Sequence, residues 1–551
     1  MIATYDVEQF KDTFEHGFTW LNGFMLNARR FARKPALADP DSGRRWTYAE
    51  LNQDANRLAH ALQNKGLRPG NVVMYMLYNS PEFALTYIAG HKLSAIGCPV
   101  NYRLSPGEIS LQINDSKPHT FIYDAEFAET AQAAVGLAEH KPPTIIATSK
   151  AARAATGSDD FDKFIANQPT SEPELAERPH IYNETTRLYT SGTTNLAKAV
   201  PINSVNETLS AHDNIMHFPL NPTDRTMNMT PWFHRGGLHM GGPAPTFYVG
   251  GEVVILREFH PRRCLQIAAD EGVTFLIGAP AIIALLARAQ THQPVDLSAL
   301  RGLVAMGSPF DKAACEQYMR LFTPNILNGY GTTETFVNTM LRPHHLPEMV
   351  GRTGQACIDD DVRIVKISGQ DAFTDPDDLV AKDNTETGEI IIRAPVKSTG
   401  CYVNNPEMTA RKFHHGFHYT GDIGTWDEDE FITVLCRKDD MVIKAGENIY
   451  PAQVEGILNE HPKVAESAVI GVPDARLGQS LAAYIVPEDA SLTVQELKDY
   501  CANHPMLPGF KRPRYYKLVA SLPHTASGKI MHYKLRQQAD CDFNPQTLAQ
   551  E

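Results

Sequence analysis

Leu51, Ala55, Leu58 and Leu62 return at three- and four-residue intervals among polar neighbours, so they share one face of a helix. Thr47-Tyr-Ala-Glu50 precedes them with the form of a capping box, the Thr47 oxygen accepting a backbone N–H and Glu50 reaching back. Gly66 stops that helix and "GLRPG" turns the chain. The stripe then gives way to a run. "VVMYML" (72–77) is apolar throughout, as suits a strand covered on both faces. Ser80-Pro81 reads as the N-cap and first turn of another helix, and "AIGCPV" (95–100) as the next strand. The rhythm returns at "GEVVIL" (251–256), "GVTFLIGAP" (272–280) and "LRGLVAMGSP" (300–309). Alternation of this kind predicts an α/β fold, with mixed or largely parallel sheets flanked by helices.

The texture changes near residue 435. "CRKDDMVIKAGENIYP" (436–451) is polar and charged. Beyond it Pro451 opens a helix, "ESAVIGV" and "LAAYIVP" read as strands, and Thr493-Val-Gln-Glu496 caps a further helix. We expect a large N-terminal domain over 1–437 and a small α+β domain over 438–551. No internal repeat or low-complexity tract interrupts either.

Composition narrows the picture. The formal net charge is −13, from 51 basic and 64 acidic residues, which argues against a general nucleic-acid binder. Eight cysteines are scattered with no CxxC pair, the usage of reduced thiols in a cytoplasmic protein. The N-terminus has early acidic residues and no apolar core, so no secretory signal is expected. No apolar run approaches about 18 residues, so no membrane span is expected.

Five stretches could carry chemistry. In "LYTSGTTNLAKAVPIN" (188–203), Gly192 can turn backbone N–H groups toward an anion, and Thr190, Ser191, Thr193 and Thr194 add hydroxyl donors ahead of Lys198. The spacing approaches a Walker loop, but Ala197 and Ala199 replace its second glycine and its Ser/Thr, which excludes that motif. "NILNGYGTTETF" (325–336) sets an aromatic ring, threonines and a carboxylate together, suited to a base, phosphate and Mg²⁺. "HYTGDIGTW" (418–426) places Asp422 after Gly421, read here as a tight turn presenting the carboxylate to two ribose hydroxyls. Arg437 and Asp439 stand near the domain boundary, and Lys529 follows a Ser-Gly turn in "LPHTASGKIMHYKLR" (522–536). Taken singly, each also suits a plain turn or solvated surface.

Taken in order, they do not. The chain resembles the adenylate-forming superfamily of acyl-CoA synthetases, peptide-synthetase adenylation domains and firefly-type luciferases, from about residue 25 to 540. "CPVNYRLSPGEISLQINDSKPH" (98–119), "TSGTTNLAK", "GYGTTE", "GEIIIRAP", "YTGD", "RKDDMVIKAGENIYP" and "PHTASGK" follow the superfamily's order. The resemblance implies two half-reactions. A carboxylate attacks the α-phosphate of ATP, giving acyl-adenylate and pyrophosphate; the thiol of CoA then displaces AMP.

By the same resemblance, Thr190, Ser191, Gly192, Thr193, Thr194 and Lys198 hold the β- and γ-phosphates. Within Gly329-Tyr330-Gly331-Thr332-Thr333-Glu334, Tyr330 stacks on adenine, Thr333 touches the α-phosphate and Glu334 holds Mg²⁺; Gly307, Ser308 and Pro309 line the other face of the base and Asn328 meets its amino group. Asp422 and Arg437 grip the ribose. Lys529 bridges carboxylate and α-phosphate during adenylation, and Asp439 is the hinge of a mobile small domain that then withdraws Lys529 and brings 444–448 to the thiol. The acyl pocket lies near Phe233, His234, Gly236, Gly237 and Met306, with His234 beside the reacting carboxylate. Leu238 and Met240 suit an apolar acyl group, and no acidic residue marks a site for an amino group. Arg235 is expected to pack or lie at the surface rather than pair a second carboxylate.

Asn195, Ala197 and Ala199 depart from the superfamily's phosphate loop, and Cys436 stands where glycine is usual, so weaker ATP or pyrophosphate binding is expected. The expected function is a carboxylic acid–CoA ligase, a monomer or homodimer, with ATP, Mg²⁺ and CoA. The alternatives are an acyl-AMP ligase loading a carrier protein, a luciferase-like oxygenase, and a non-catalytic nucleotide-binding protein.

Overall fold

The computed structural model describes residues 5–148, 159–175, 177–190, 198–307, 312–367, 373–444, 447–474, 476–524 and 530–543. Two compact units divide the chain: Met1–Val362 with Ile392–His418, and Arg363–Ile391 with Tyr419–Glu551. The expected hinge at Asp439 falls inside the second.

The first unit is built on two sheets. One runs in the order Asp159–Asp160, Thr144–Ala147, Thr120–Tyr123, Val72–Met76, Ile96–Pro99, Glu184–Thr190 and Lys198–Asn203, parallel except for its last pair. The other runs Gln355–Ala356, Phe336–Leu341, Ile326–Thr332, Gly302–Met306, Phe275–Gly278, Arg225–Asn228, Glu252–Val254, Pro35–Asp39 and Arg44–Thr47, parallel from Ile326–Thr332 to Pro35–Asp39 and antiparallel at both ends. The Thr47–Glu50 capping box forms as expected and starts the helix Tyr48–Asn64. Ser80 caps Pro81–Lys92, whose residues from Phe83 to Lys92 are all buried. A helix apolar on most sides belongs inside, and this one carries little amphipathic signal for that reason.

In the second unit, Gly478–Pro487 pairs with Val464–Asp474, Val442–Lys444 and Tyr515–Leu518. Alternate residues feed two cores. Val469, Leu481, Ala483 and Ile485 pack with Val454, Leu458 and Leu497; Ala468, Ile470, Ala482 and Tyr484 pack with Leu535 and Ala539. This period-two alternation places one core on each face of the hairpin. The structure corrects one expectation here. Residues 418–426 are not a tight turn but part of a continuous strand, Phe417–Trp426, whose residues Asp422–Trp426 pair antiparallel with Ile432–Arg437. Gly421, at φ 76°, kinks the strand without ending it.

A buried charge ties the first unit together. Glu207, on the helix Ser204–His217, is fully buried and accepts from the Tyr87 hydroxyl at 2.9 Å and the Thr186 hydroxyl at 2.6 Å. His239 Nε2 meets the same carboxylate, and His91 Nε2 stands 4.0 Å away. Thr186 belongs to the first sheet and His239 to the segment leaving the second, so one carboxylate links both. Burial alone would raise the Glu207 carboxyl, but His239, His91 and the Thr186 hydroxyl outweigh it and hold it at about 2. Burial pushes the His91 imidazole down to about 4 against the pull of Glu207.

The stability consequence has a definite sign. An unfolded histidine takes up its proton near about pH 6.5, and native His91 only near 4. Its contribution is therefore present above the unfolded value and lost as pH falls toward the folded one, at up to about 1.4 kcal/mol per pH unit. The melting temperature of His91→Gln is expected to fall less steeply than that of the native protein across this window. Parallel slopes in scanning calorimetry would contradict a neutral, buried His91.

Candidate active site

Tyr330 lies on the strand Ile326–Thr332, where pairing with Phe336–Leu341 shifts register between Tyr330 and Gly331. A Cβ on Gly331 would meet the Phe336 carbonyl oxygen at 1.7 Å, so only glycine lets the strands close here. Asn328 is buried on the same strand, between Ala305 and Leu341, and Gly329 faces Met306. The Thr335 hydroxyl donates to Asn338 at 2.6 Å, which leaves the Thr332 hydroxyl as donor to Thr335 at 2.9 Å. These bonds brace the turn that carries Thr333 and Glu334.

The Tyr402 hydroxyl donates to Glu334 Oε1 at 2.7 Å. Lys198 Nζ stands 5.6 Å from the centre of the Tyr402 ring. Burial alone would raise the Glu334 carboxyl; His418, the Tyr402 hydroxyl and Lys198 outweigh it and hold it below the ordinary glutamate value. The fold thus keeps an anion in a partly desolvated place by surrounding it with positive and donor groups. Tyr402 and His418 are not among the residues expected from sequence. Thr190 and Lys198 face each other across the antiparallel pair Glu184–Thr190 and Lys198–Asn203. Ala199 follows in the same strand, 2 % exposed, so its side chain fits where the superfamily has glycine.

On the expected acyl side, Phe233 and His234 precede the short helix Arg235–His239, which contains Gly236 and Gly237. The Phe233 and His234 ring centroids are 4.4 Å apart, and Phe233 meets Tyr102 edge-on at 5.2 Å. Met306 ends its strand against Gly236, where a Cβ would lie 2.4 Å from the Met306 sulfur. Gly307 follows with φ 102°. Arg235 is buried, so of the two expected roles the structure selects packing.

In the second unit, Asp422 and Arg437 face each other across paired strands, Arg437 Nε reaching Asp422 Oδ1 at 3.0 Å. Another Arg437 nitrogen donates to the Thr420 carbonyl at 2.9 Å. Asp439 follows in the turn 438–440, where Lys438 donates to Glu389 at 2.9 Å. Ser191, Gly192, Thr193, Thr194, Asn195, Ala197, Ser308, Pro309 and Lys529 lie outside the described residues.

Residues 24–402 match the family model described as AMP-binding enzyme, and residues 453–529 match its C-terminal domain. A feruloyl-CoA synthase of an Amycolatopsis species is 31 % identical over 514 residues, 93 % of this chain and 97 % of its own length. A fatty acid–acyl-carrier-protein ligase of Streptomyces coeruleorubidus is 30 % identical over 90 % of this chain and 92 % of its own. The crystal structure of an anthranilate CoA ligase in complex with anthranoyl-AMP superimposes with a TM-score of 0.85 at 26 % identity, covering 95 % of this chain and 98 % of that one.

The Tyr402 hydroxyl is one of the groups that keep Glu334 ionised. Tyr402→Phe is expected to weaken ATP binding about tenfold in the presence of magnesium, and to leave ATP binding in a chelator unchanged. Calorimetric titration under both conditions checks this; equal weakening in both would place the hydroxyl's influence elsewhere.

Proposed function

The chain belongs to the AMP-binding enzyme family, and from that premise we propose that it is an ATP-dependent carboxylic acid–CoA ligase acting in the cytoplasm. It is an AMP-forming acid–thiol ligase: one carboxylate oxygen attacks the α-phosphate, the bond to pyrophosphate breaks, and a thiol sulfur then attacks the acyl carbon as AMP leaves. The observation that carries the reading is the ionised Glu334 carboxylate, held by Tyr402, His418 and Lys198 beside the Thr332–Thr333 turn.

These residues suit a hard cation. An ionised carboxylate among hydroxyls is the donor set that Mg²⁺ takes alongside substrate phosphates. Glu334 would hold the ion, which when bound neutralises charge on the triphosphate. The remaining work is positioning and electrostatics. Tyr330 offers its ring to adenine, Asn328 its amide to the exocyclic amine, and Thr333 its hydroxyl to the α-phosphate. Thr190, Ser191, Gly192, Thr193, Thr194 and Lys198 take the outer phosphates. Asp422, its carboxylate oriented by Arg437, accepts from ribose hydroxyls. Lys529 neutralises the approach of two anions, a task suited to a compact ammonium on a flexible stem. His234, Phe233 and Met306 border the carboxylate and its apolar tail. Residues 438–551 move about Asp439 between the half-reactions.

A carrier-protein acceptor is the second reading, favoured by the carrier-protein ligase among the relatives. The test is pyrophosphate release across ferulate, anthranilate, 2-succinylbenzoate and fatty acids, with and without CoA. Acid-dependent release that rises with CoA supports the ligase; acyl-adenylate accumulating regardless of CoA supports the carrier reading; no release with any acid sinks both. Lys529→Ala is expected to reduce adenylation by at least about a hundredfold while sparing thioester formation from supplied acyl-AMP. Equal loss in both steps would contradict the alternation about Asp439.

A further inference from the structure

Arg235 has no part in the reaction described above, yet its placement is costly. It is 4 % exposed, and among the described residues no carboxylate lies within ion-pair distance of it. Burial pulls its pKa down to about 10, against Glu207, Glu334 and Asp360, so it stays charged at neutral pH. A buried cation without a direct counter-ion persists only where its hydrogen bonds compensate.

Those bonds converge on Glu334's surroundings. One terminal nitrogen donates to the Thr333 carbonyl, and the other to the Lys397 carbonyl at 2.6 Å. The guanidinium carbon stands 5.3 Å from the centre of the Phe336 ring. Thr333 immediately precedes Glu334, Phe336 begins the strand after it, and Lys397 leads toward Tyr402, which donates to Glu334. The Lys397 end is itself anchored. Its ammonium donates at 2.6 Å to Asp213, to Asp360 and to the Val337 carbonyl. A planar guanidinium can hold two carbonyls at a fixed angle; a lysine ammonium is a single point on a flexible stem.

We propose that Arg235 is a positioning residue for adenylation, one fork that fixes both the Thr333 backbone and the segment bearing Tyr402, and so sets where the Glu334 carboxylate lies. The proposal rests on the adenylating reading, and its test separates the two. The probe is Mn²⁺ with ATP, read by the electron paramagnetic resonance of the bound ion. Arg235→Lys is expected to weaken Mn²⁺ binding about tenfold with ATP affinity in a chelator unchanged. It is also expected to lower kcat for pyrophosphate release about 10- to 100-fold with KM for the acid within about twofold. In a Glu334→Gln background the same change is expected to add no further loss of Mn²⁺ binding. Unchanged Mn²⁺ binding, or an equal further loss in that background, overturns the proposal. A raised KM for the acid with kcat intact would likewise overturn it and make Arg235 an acyl-pocket residue. Should Arg235→Lys fail to fold, Phe336→Leu removes the ring against the guanidinium. It is expected to give the same split more weakly, and unchanged Mn²⁺ binding there is equally fatal. A native protein that binds Mn²⁺ and ATP but releases no pyrophosphate contradicts the reaction, and Arg235 is then judged on the Mn²⁺ arm alone.

Discussion

A carboxylate that must stay ionised while partly screened from water needs partners that outweigh its burial. Around Glu334 those partners come from remote parts of the chain: Lys198 from the end of a hairpin, Tyr402 from a loop, His418 from the strand Phe417–Trp426. None is adjacent to Glu334 in sequence, so the anion depends on the first unit having folded. The turn that carries it is braced by the Thr332–Thr335–Asn338 hydroxyl and amide chain and closed by the tight approach at Gly331.

Behind this turn lies a second polar layer that extends the same logic inward. Asn338 donates to Asp360 at 2.9 Å, and Asp360 meets the Lys397 ammonium. Burial raises the Asp360 carboxyl to about 7 even against Lys397. Asp213, His217 and Cys357 also gather there, close enough to invite comparison with a metal nest. The hydrogen bonding opposes it. Arg342 can only donate to His217 Nδ1, at 3.0 Å, so the neutral ring carries its proton on Nε2, facing Asp213 rather than offering a lone pair. The cluster serves as polar scaffolding beneath the site.

What the sequence disclosed follows the range of the interactions. Caps and short apolar runs are local, and the Thr47 box, the Ser80 cap and the strands near 72, 96, 275 and 302 lie where the pattern put them. Tyr330 and Glu334 stand out because glycines and hydroxyls crowd around them. Tyr402 does not: nothing beside it sets it apart from the other tyrosines, and its meaning arises from contact with a residue 68 positions away. From the sequence Arg235 either packs or lies at the surface, and only the tertiary burial decides between these. Gly421 gives Asp422 the local look of a turn residue, while the pairing of Asp422 with Arg437 that makes it part of a strand is nonlocal.

Between Thr190 and Lys198 runs the segment expected to meet phosphate, with Asn195 and Ala197 in it. Its two ends are pinned: Thr190 and Lys198 face one another in register, at the close of a pairing that runs back to Glu184 and Asn203. Ala199 belongs to this ladder and not to the loop, and its carbonyl accepts from the Val403 N–H at 2.9 Å. A glycine there would add backbone freedom to the unfolded chain and bury less apolar surface. Alanine at 199 therefore costs the anchor nothing. The same strand couples the segment's end to the Glu334 carboxylate, since Val403 adjoins Tyr402 and Lys198 stands over the Tyr402 ring. Asn195 and Ala197 lie outside the described residues, and Lys198 is held by a strand pairing that does not pass through them.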